Sequence, residues 1–181
     1  SGNWDLARGV TASARARRLF RDHGRRRDVV LGLVRHRASP GERRVAAKVA
    51  ETKKAFLLAY PGACSKNHLV ARGLLRGQTL GPVQAYQGVA CQNWRRYATD
   101  TWRGDPKLAG GGFLHDTGSH VTHSILWLHD SPVTEVQAFL EKDGTQVEIQ
   151  GTVNLRFADG AVANVTVNGN SNPFRANVTV L

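Results

Sequence analysis

From Val147 to Phe157 the chain alternates: Val147, Ile149, Gly151, Val153, Leu155 and Phe157 fall on one side of an extended segment and polar residues on the other. Ala161, Ala163, Val165 and Val167 continue the period of two, and Asp159-Gly160 between them is a hairpin-turn pair. Strand pattern begins at Val133, Asn168-Gly169 marks another turn, and Val178 to Leu181 opens a further strand. Upstream, Val83, Ala85, Gln87 and Val89 alternate against Gln84, Tyr86 and Gly88, which predicts a strand over Val83 to Cys91. One-sided alternation implies an antiparallel sheet with one buried face, packed against helices.

Helical periodicity occupies the rest. Ser39-Pro40-Gly41-Glu42 combines an N-cap serine, a proline at the first helical position and a following glutamate. Val45, Ala46, Val49 and Ala50 then recur at helical spacing, and Lys53-Lys54 suit a helix C-terminus. The continuous apolar run Ala55 to Tyr60 predicts a strand buried on both faces, completing one α/β unit. A second helix is expected over Asn67 to Arg76, with Leu69, Val70, Leu74 and Leu75 apolar. Asn93 to Lys107 is polar and aromatic and is expected to be a long loop, the kind that tends to be functional. After Gly110-Gly111-Gly112, a helix is expected over Asp116 to Leu128, before Pro132. Ala12 to Asp22 offers a further helix and Val29 to Val34 a short buried strand; no internal repeat is present. The fold class is therefore α+β: an open, mainly antiparallel sheet with helices on one face, preceded by a single helix–strand α/β unit.

Composition narrows the function. The 181 residues suffice for one domain, and the net charge of +11 is unevenly placed. Residues 1–54 hold 15 of the 25 Lys and Arg and 5 of the 14 Asp and Glu, a balance of +10 against +1 for the remainder. The basic opening, with Arg25-Arg26-Arg27, reads either as an arm for phosphates or, with more weight, as a solvated stretch. Few aromatics interleave with its arginines, which argues against base stacking, and nucleic acid is not the expected partner. Cys64 and Cys91 lie far apart without ligand spacing, which fits a reducing compartment. No apolar run approaches a membrane span and no signal-peptide pattern opens the chain, so a cytoplasmic protein is expected. The chain begins at Ser1 and has no methionine, consistent with a processed or partial product.

Asp116, His120 and His123 stand at i, i+4 and i+7, one face of a helix. A carboxylate one turn from an imidazole is a proton-transfer device, because histidine titrates near neutrality and the carboxylate orients its ring. Spacing alone leaves other readings open. Asp116 could cap the helix while the histidines are satisfied surface or core groups. A metal could take the same three side chains, although neither a zinc-helix pattern nor cysteine supports it, and no metal is assigned. His115 and His129 point elsewhere on such a helix. Asn164-Val165-Thr166 and Asn177-Val178-Thr179 match the glycosylation pattern but read as ordinary strand residues.

Five pieces in fixed order carry a resemblance: Trp102-Arg103-Gly104-Asp105-Pro106, Ala109-Gly110-Gly111-Gly112, Asp116-x-Gly118-x-His120, Trp127-Leu128, and Pro132-Val133-x-Glu135-Val136. Together they resemble the Gfo/Idh/MocA family of oxidoreductases. Leu155-x-Phe157-x-Asp159-Gly160-Ala161 resembles the family's sheet, and Leu80-Gly81-Pro82-Val83 the entry to its second domain. The likeness runs from about Ser39 to Leu181. It implies NAD(P)-dependent oxidation of sugars, polyols or related hydroxy compounds, by a Rossmann domain joined to an open-sheet domain that often forms homo-oligomers through its sheet face. By motif, His120 resembles the catalytic base and Asp116 its acidic partner. Trp102, Arg103 and His123 would lie on the substrate side, and Gly110, Gly111 and Gly112 on the nicotinamide side.

The chain also departs from that pattern. No strand leads into a glycine-rich phosphate loop. Where the family's Glu-Lys-Pro motif would fall stands Leu31-Gly32-Leu33-Val34-Arg35-His36, and His123 occupies a position where aspartate is common. The resulting division is a basic, poorly ordered or aberrant segment at 1–38, a Rossmann-like remnant at 39–60, and the C-terminal α/β domain at 61–181, cut short at its end. NAD or NADP is expected in the intact enzyme but not on this chain alone. The rival readings are a non-catalytic binding or oligomerisation module of the same fold, and a nucleic-acid binder using the basic arm.

Overall fold

The computed structural model describes residues 40–56, 58–78 and 80–181. The basic segment 1–38, with the helix expected at Ala12 to Asp22 and the strand at Val29 to Val34, lies outside them. Helix α1 spans Pro40–Thr52 and buries only Ala46 among its described side chains. It ends where Lys53 turns into the left-handed region at φ 53°. Ala55 to Tyr60 does not form the expected strand. The described part runs without sheet partners, with Phe56 44% and Leu58 61% exposed. An apolar run becomes a strand only where a sheet edge accepts it, and none among the described residues does.

A 3₁₀ turn at Pro61–Cys64 leads into α2, Lys66–Arg76, whose first turn is capped by Ser65. The face of α2 that reads as apolar is turned outward: Leu69, Val70 and Leu74 are exposed, and Arg72 is buried instead. The Arg72 guanidinium lies 4.1 Å over the Trp127 ring and reaches Asp130 at 3.4 Å. Stacking on an indole offsets part of the cost of desolvating a guanidinium.

Five strands form one sheet in the order β2-β3-β4-β1-β5. They are β1 Ala85–Cys91, β2 Val133–Glu141, β3 Gln150–Phe157, β4 Val162–Asn168 and β5 Arg175–Val180. The β1–β4 ladder is parallel and the other three are antiparallel. Register places Tyr86 opposite Ala163, Gly88 opposite Val165 and Ala90 opposite Val167. All six are buried, beside Val153, Leu155 and Phe157 on β3. The turn at Asn168-Gly169 forms, with Asn170 N donating to Asn168 Oδ1 at 2.9 Å. It does not return the chain beside β4, because β5 pairs with β1.

Asn93 to Lys107 is not a loop. It folds into α3, Trp94–Ala98, a 3₁₀ turn at Trp102–Gly104 and the start of α4, Pro106–Ala109. Asp105 caps α4, its carboxylate accepting from Lys107 N at 2.8 Å, with Pro106 behind it. A Cβ on Gly104 would stand 1.9 Å from Thr99 O, so only glycine lets this turn close.

The helix expected from Asp116 begins differently. Leu114–Gly118 is one wide π turn, followed by α5, Ser119–Leu128, which packs on the sheet through Val121, Ile125 and Leu128. On β1, a Cβ at Gly88 would press within 2.5 Å of Val121 Cγ1, so the missing side chain sets how closely α5 lies. At the helix end His129 bonds to Tyr86 Oη at 3.2 Å and to Asp159 at 3.1 Å. Burial and the nearby Asp159 and Asp130 carboxylates push the Tyr86 phenol up to about 12, so it stays neutral. His129 is thus a pin between helix, sheet and the Asp159-Gly160 hairpin.

Candidate active site

On the helix side of the sheet lies a cavity of about 260 Å³. The π turn and α5 supply His115, Asp116, Ser119 and His120; the segments around α3 and α4 supply Trp94, Trp102, Arg103 and Gly111; the chain before α2 closes it with Tyr60. Widened π turns occur frequently at functional sites because they break the regular side-chain register.

Here the register change redirects Asp116. Its Oδ2 accepts from Trp94 Nε1 at 2.7 Å and lies 3.4 Å from Arg103 Nε. Trp94 is 1% exposed, so the carboxylate is tied to the core on one side and to a cation on the other. Arg103 in turn lies 4.6 Å over the Trp102 ring. His120 is exposed into the same cavity but is not hydrogen-bonded to Asp116 among the described contacts. The arrangement holds a carboxylate fixed beside an accessible imidazole, which suits proton transfer through a bound hydroxyl better than a direct Asp–His pair.

The other residues singled out in the sequence divide. Trp102 and Arg103 line the cavity, as does Gly111, whereas Gly110 and Gly112 do not. Gly110 ends α4 at φ 80°, and a Cβ on Gly112 would stand 2.1 Å from Glu148 O. Both glycines are therefore accounted for by the chain's own packing. His123 stays outside the cavity wall and stacks on Tyr60, ring centroids 4.3 Å apart at 10°. His115, set aside in the sequence as pointing elsewhere, does line the cavity, because the π turn rotates it inward; its backbone N–H donates to Glu148 Oε1 at 3.3 Å. Trp94 falls within the aromatic Asn93 to Lys107 stretch expected to be a functional loop but is not singled out there, and Tyr60 reads as the end of a strand.

Burial pushes the His123 imidazole below its ordinary range, and the nearby His120 and His68 push it further in the same direction. The unfolded chain therefore holds more protons than the folded one between the lowered value and about 6.5. Stability contributed at this position is intact at neutral pH, falls as pH drops through that window, and levels off below it. Thermal midpoints followed from about pH 7.5 to 5 should decline less steeply in His123→Gln than in the parent; equal slopes would assign the decline to other groups.

The family model for the GFO/IDH/MocA C-terminal domain matches residues 68–181, which include the π turn, α5 and the whole sheet. The chain belongs to this family. Solved structures agree in fold. GenD2 from gentamicin A biosynthesis, in complex with NAD, is 25% identical with a TM-score of 0.68, over 79% of this chain and 42% of that one. The WlbA dehydrogenase from Chromobacterium violaceum, with NADH and UDP-GlcNAcA, is 21% identical with a TM-score of 0.65, over 81% and 44%. Levoglucosan dehydrogenase, with NADH and levoglucosan, is 18% identical with a TM-score of 0.64, over 84% and 48%. The Gfo/Idh/MocA chain described here spans less than half the length of these oxidoreductases. No curated protein matches it by sequence.

The residues fit a dinucleotide poorly. Among the described residues no strand leads through a glycine-rich loop into a helix, the arrangement that seats a pyrophosphate. No helix among them is long and apolar enough to cross a membrane.

Proposed function

We propose that this chain carries the substrate side of an NAD(P)-dependent oxidoreductase acting on a hydroxyl group of a sugar, polyol or related compound. The observation that supports it most is the convergence of Asp116, Arg103 and His120 on one cavity. In this reading a ring nitrogen of His120 takes the hydroxyl proton, and Asp116 accepts a hydrogen bond from a neighbouring hydroxyl. Arg103 donates to the substrate and faces Asp116, and Trp102 offers its ring to the apolar face of a sugar. A cavity of about 260 Å³ suits one sugar-sized molecule. The nicotinamide and its hydride chemistry belong to a cofactor domain. Residues 39–60 read as that domain's closing part and 61–181 as the substrate domain, in a cytoplasmic enzyme.

The outer sheet face is the proposed homo-oligomer surface. Asn154, Asn164, Thr166 and Gln87 lie there with Phe139 at 64% exposure, and among the described residues no helix covers them. Two measurements test the reading. NADH fluorescence titrated with this chain should show no saturable binding. This chain joined to a family cofactor domain should reduce NAD or NADP with a panel of sugars and polyols. Absence of turnover across the panel, with cofactor demonstrably bound, would favour the non-catalytic module.

A further inference from the structure

The Tyr60 ring makes two contacts with α5. It stacks on His123 at 4.3 Å and 10°, and meets His120 edge-on at 5.2 Å and 71°. It also lines the cavity that His120 faces. We propose that Tyr60 is a positioning residue of the active site: laid flat on one imidazole and edge-on to the other, it keeps His120 facing the cavity and walls His123 off from it. The role of His120 as proton acceptor rests on the function proposed above, whereas the brace itself does not.

Three observations carry the inference. First, the segment holding Tyr60 is anchored. The turn that follows packs against α5 closely enough that a Cβ on Gly62 would stand 3.3 Å from Ser124 Oγ. Ser124 is buried and donates to His120 O at 2.9 Å. Second, two imidazoles one turn apart on a helix would compete for protons unless their surroundings differ. Tyr60 makes them differ, because His123 lies beneath the ring and its Nδ1 is buried without a hydrogen-bond partner among the described residues. Third, the charged and titratable neighbours are unevenly placed. Asp116, Arg103 and His115 line the cavity that His120 faces, whereas His123 sees His120 and, from α2, His68. Burial holds the His123 ring neutral, and the flat stack supplies that burial on one face.

The test is imidazole NMR of the full chain, with resonances assigned by single His→Gln variants. Tyr60→Ala should move the His123 titration up toward that of an ordinary histidine and remove the ring-current shift of the His120 Cε1–H. Tyr60→Phe should leave both as in the parent. His129, pinned at the far end of α5, serves as control and should not move. Unchanged His120 and His123 signals in Tyr60→Ala would overturn the proposal, as would Tyr60→Phe behaving like Tyr60→Ala. Where Tyr60→Ala disturbs the fold, Tyr60→Leu keeps the volume and loses the aromatic ring. Movement of His129 in both variants would assign Tyr60 a purely structural role. No substrate enters the measurement, so the brace can stand even if His120 proves not to be the base.

Discussion

On the function proposed above, His120→Asn is expected to lower kcat by about 10²–10⁴-fold, the usual contribution of a positioned general base. Asparagine keeps the size and one hydrogen-bonding edge of imidazole but cannot accept a proton near neutrality. Substrate binding uses Arg103 and Asp116 as well, so KM should change far less than kcat. Asp116→Asn should act differently. Its carboxylate accepts from Trp94 and faces Arg103, so neutralising it should raise KM as well as depress kcat. Steady-state NAD(P)H absorbance assays on both variants separate the two patterns. A loss under tenfold for His120→Asn would place the proton acceptor elsewhere, with His115 the next group on the cavity wall.

Trp94→Ala is expected to cost about 3–5 kcal/mol of folding stability, the range for emptying a large aromatic from a core. The indole is 1% exposed, sits 6.0 Å from the Phe113 ring, and gives its N–H to Asp116. Removing it opens a void beneath the site and releases the carboxylate from its only core anchor among the described contacts. Trp94→Phe should retain most of the packing and lose the hydrogen bond. Asp116 is partly solvated, so water can replace that donor and the stability loss should stay near about 1 kcal/mol. Urea unfolding of both variants checks the split. A similar loss in each would mean that the hydrogen bond, rather than the packing, holds this corner.

The sheet was legible because its face rule is simple. Val153, Leu155 and Phe157, then Ala163, Val165 and Val167, alternate in the sequence and are buried in the structure. The helices were less so. On α2 Leu69, Val70 and Leu74 point outward while Leu75 packs inward, and a guanidinium stacked on Trp127 takes the most buried position. Periodicity finds the helix, but which face turns inward is decided by partners distant in the chain. Ala55 to Tyr60 failed for the complementary reason: apolar character promises burial, but a strand also needs an edge to pair with. In the site, the motif pieces located Asp116, His120, Trp102 and Arg103, and the cavity unites them. Helical spacing misplaced the Asp–His relation, because a π turn shifts the side chains that precede it. Tyr60 reads as strand, helical geometry sets His115 aside, and Trp94 stays unassigned within an aromatic stretch, since each acquires its part only when segments far apart in sequence meet.

The parallel ladder has a consequence for synthesis. Strand β1 is flanked by β4 and β5, which lie about seventy residues or more downstream. A nascent chain emerging from the ribosome therefore presents β1 with both edges bare until β4 and β5 have been made. Its inward positions are Tyr86, Gly88 and Ala90, one aromatic ring followed by two positions of little or no bulk. The bare Gly88 that lets α5 settle closely in the finished molecule also leaves the middle of the waiting strand without an apolar side chain to hold a wrong partner.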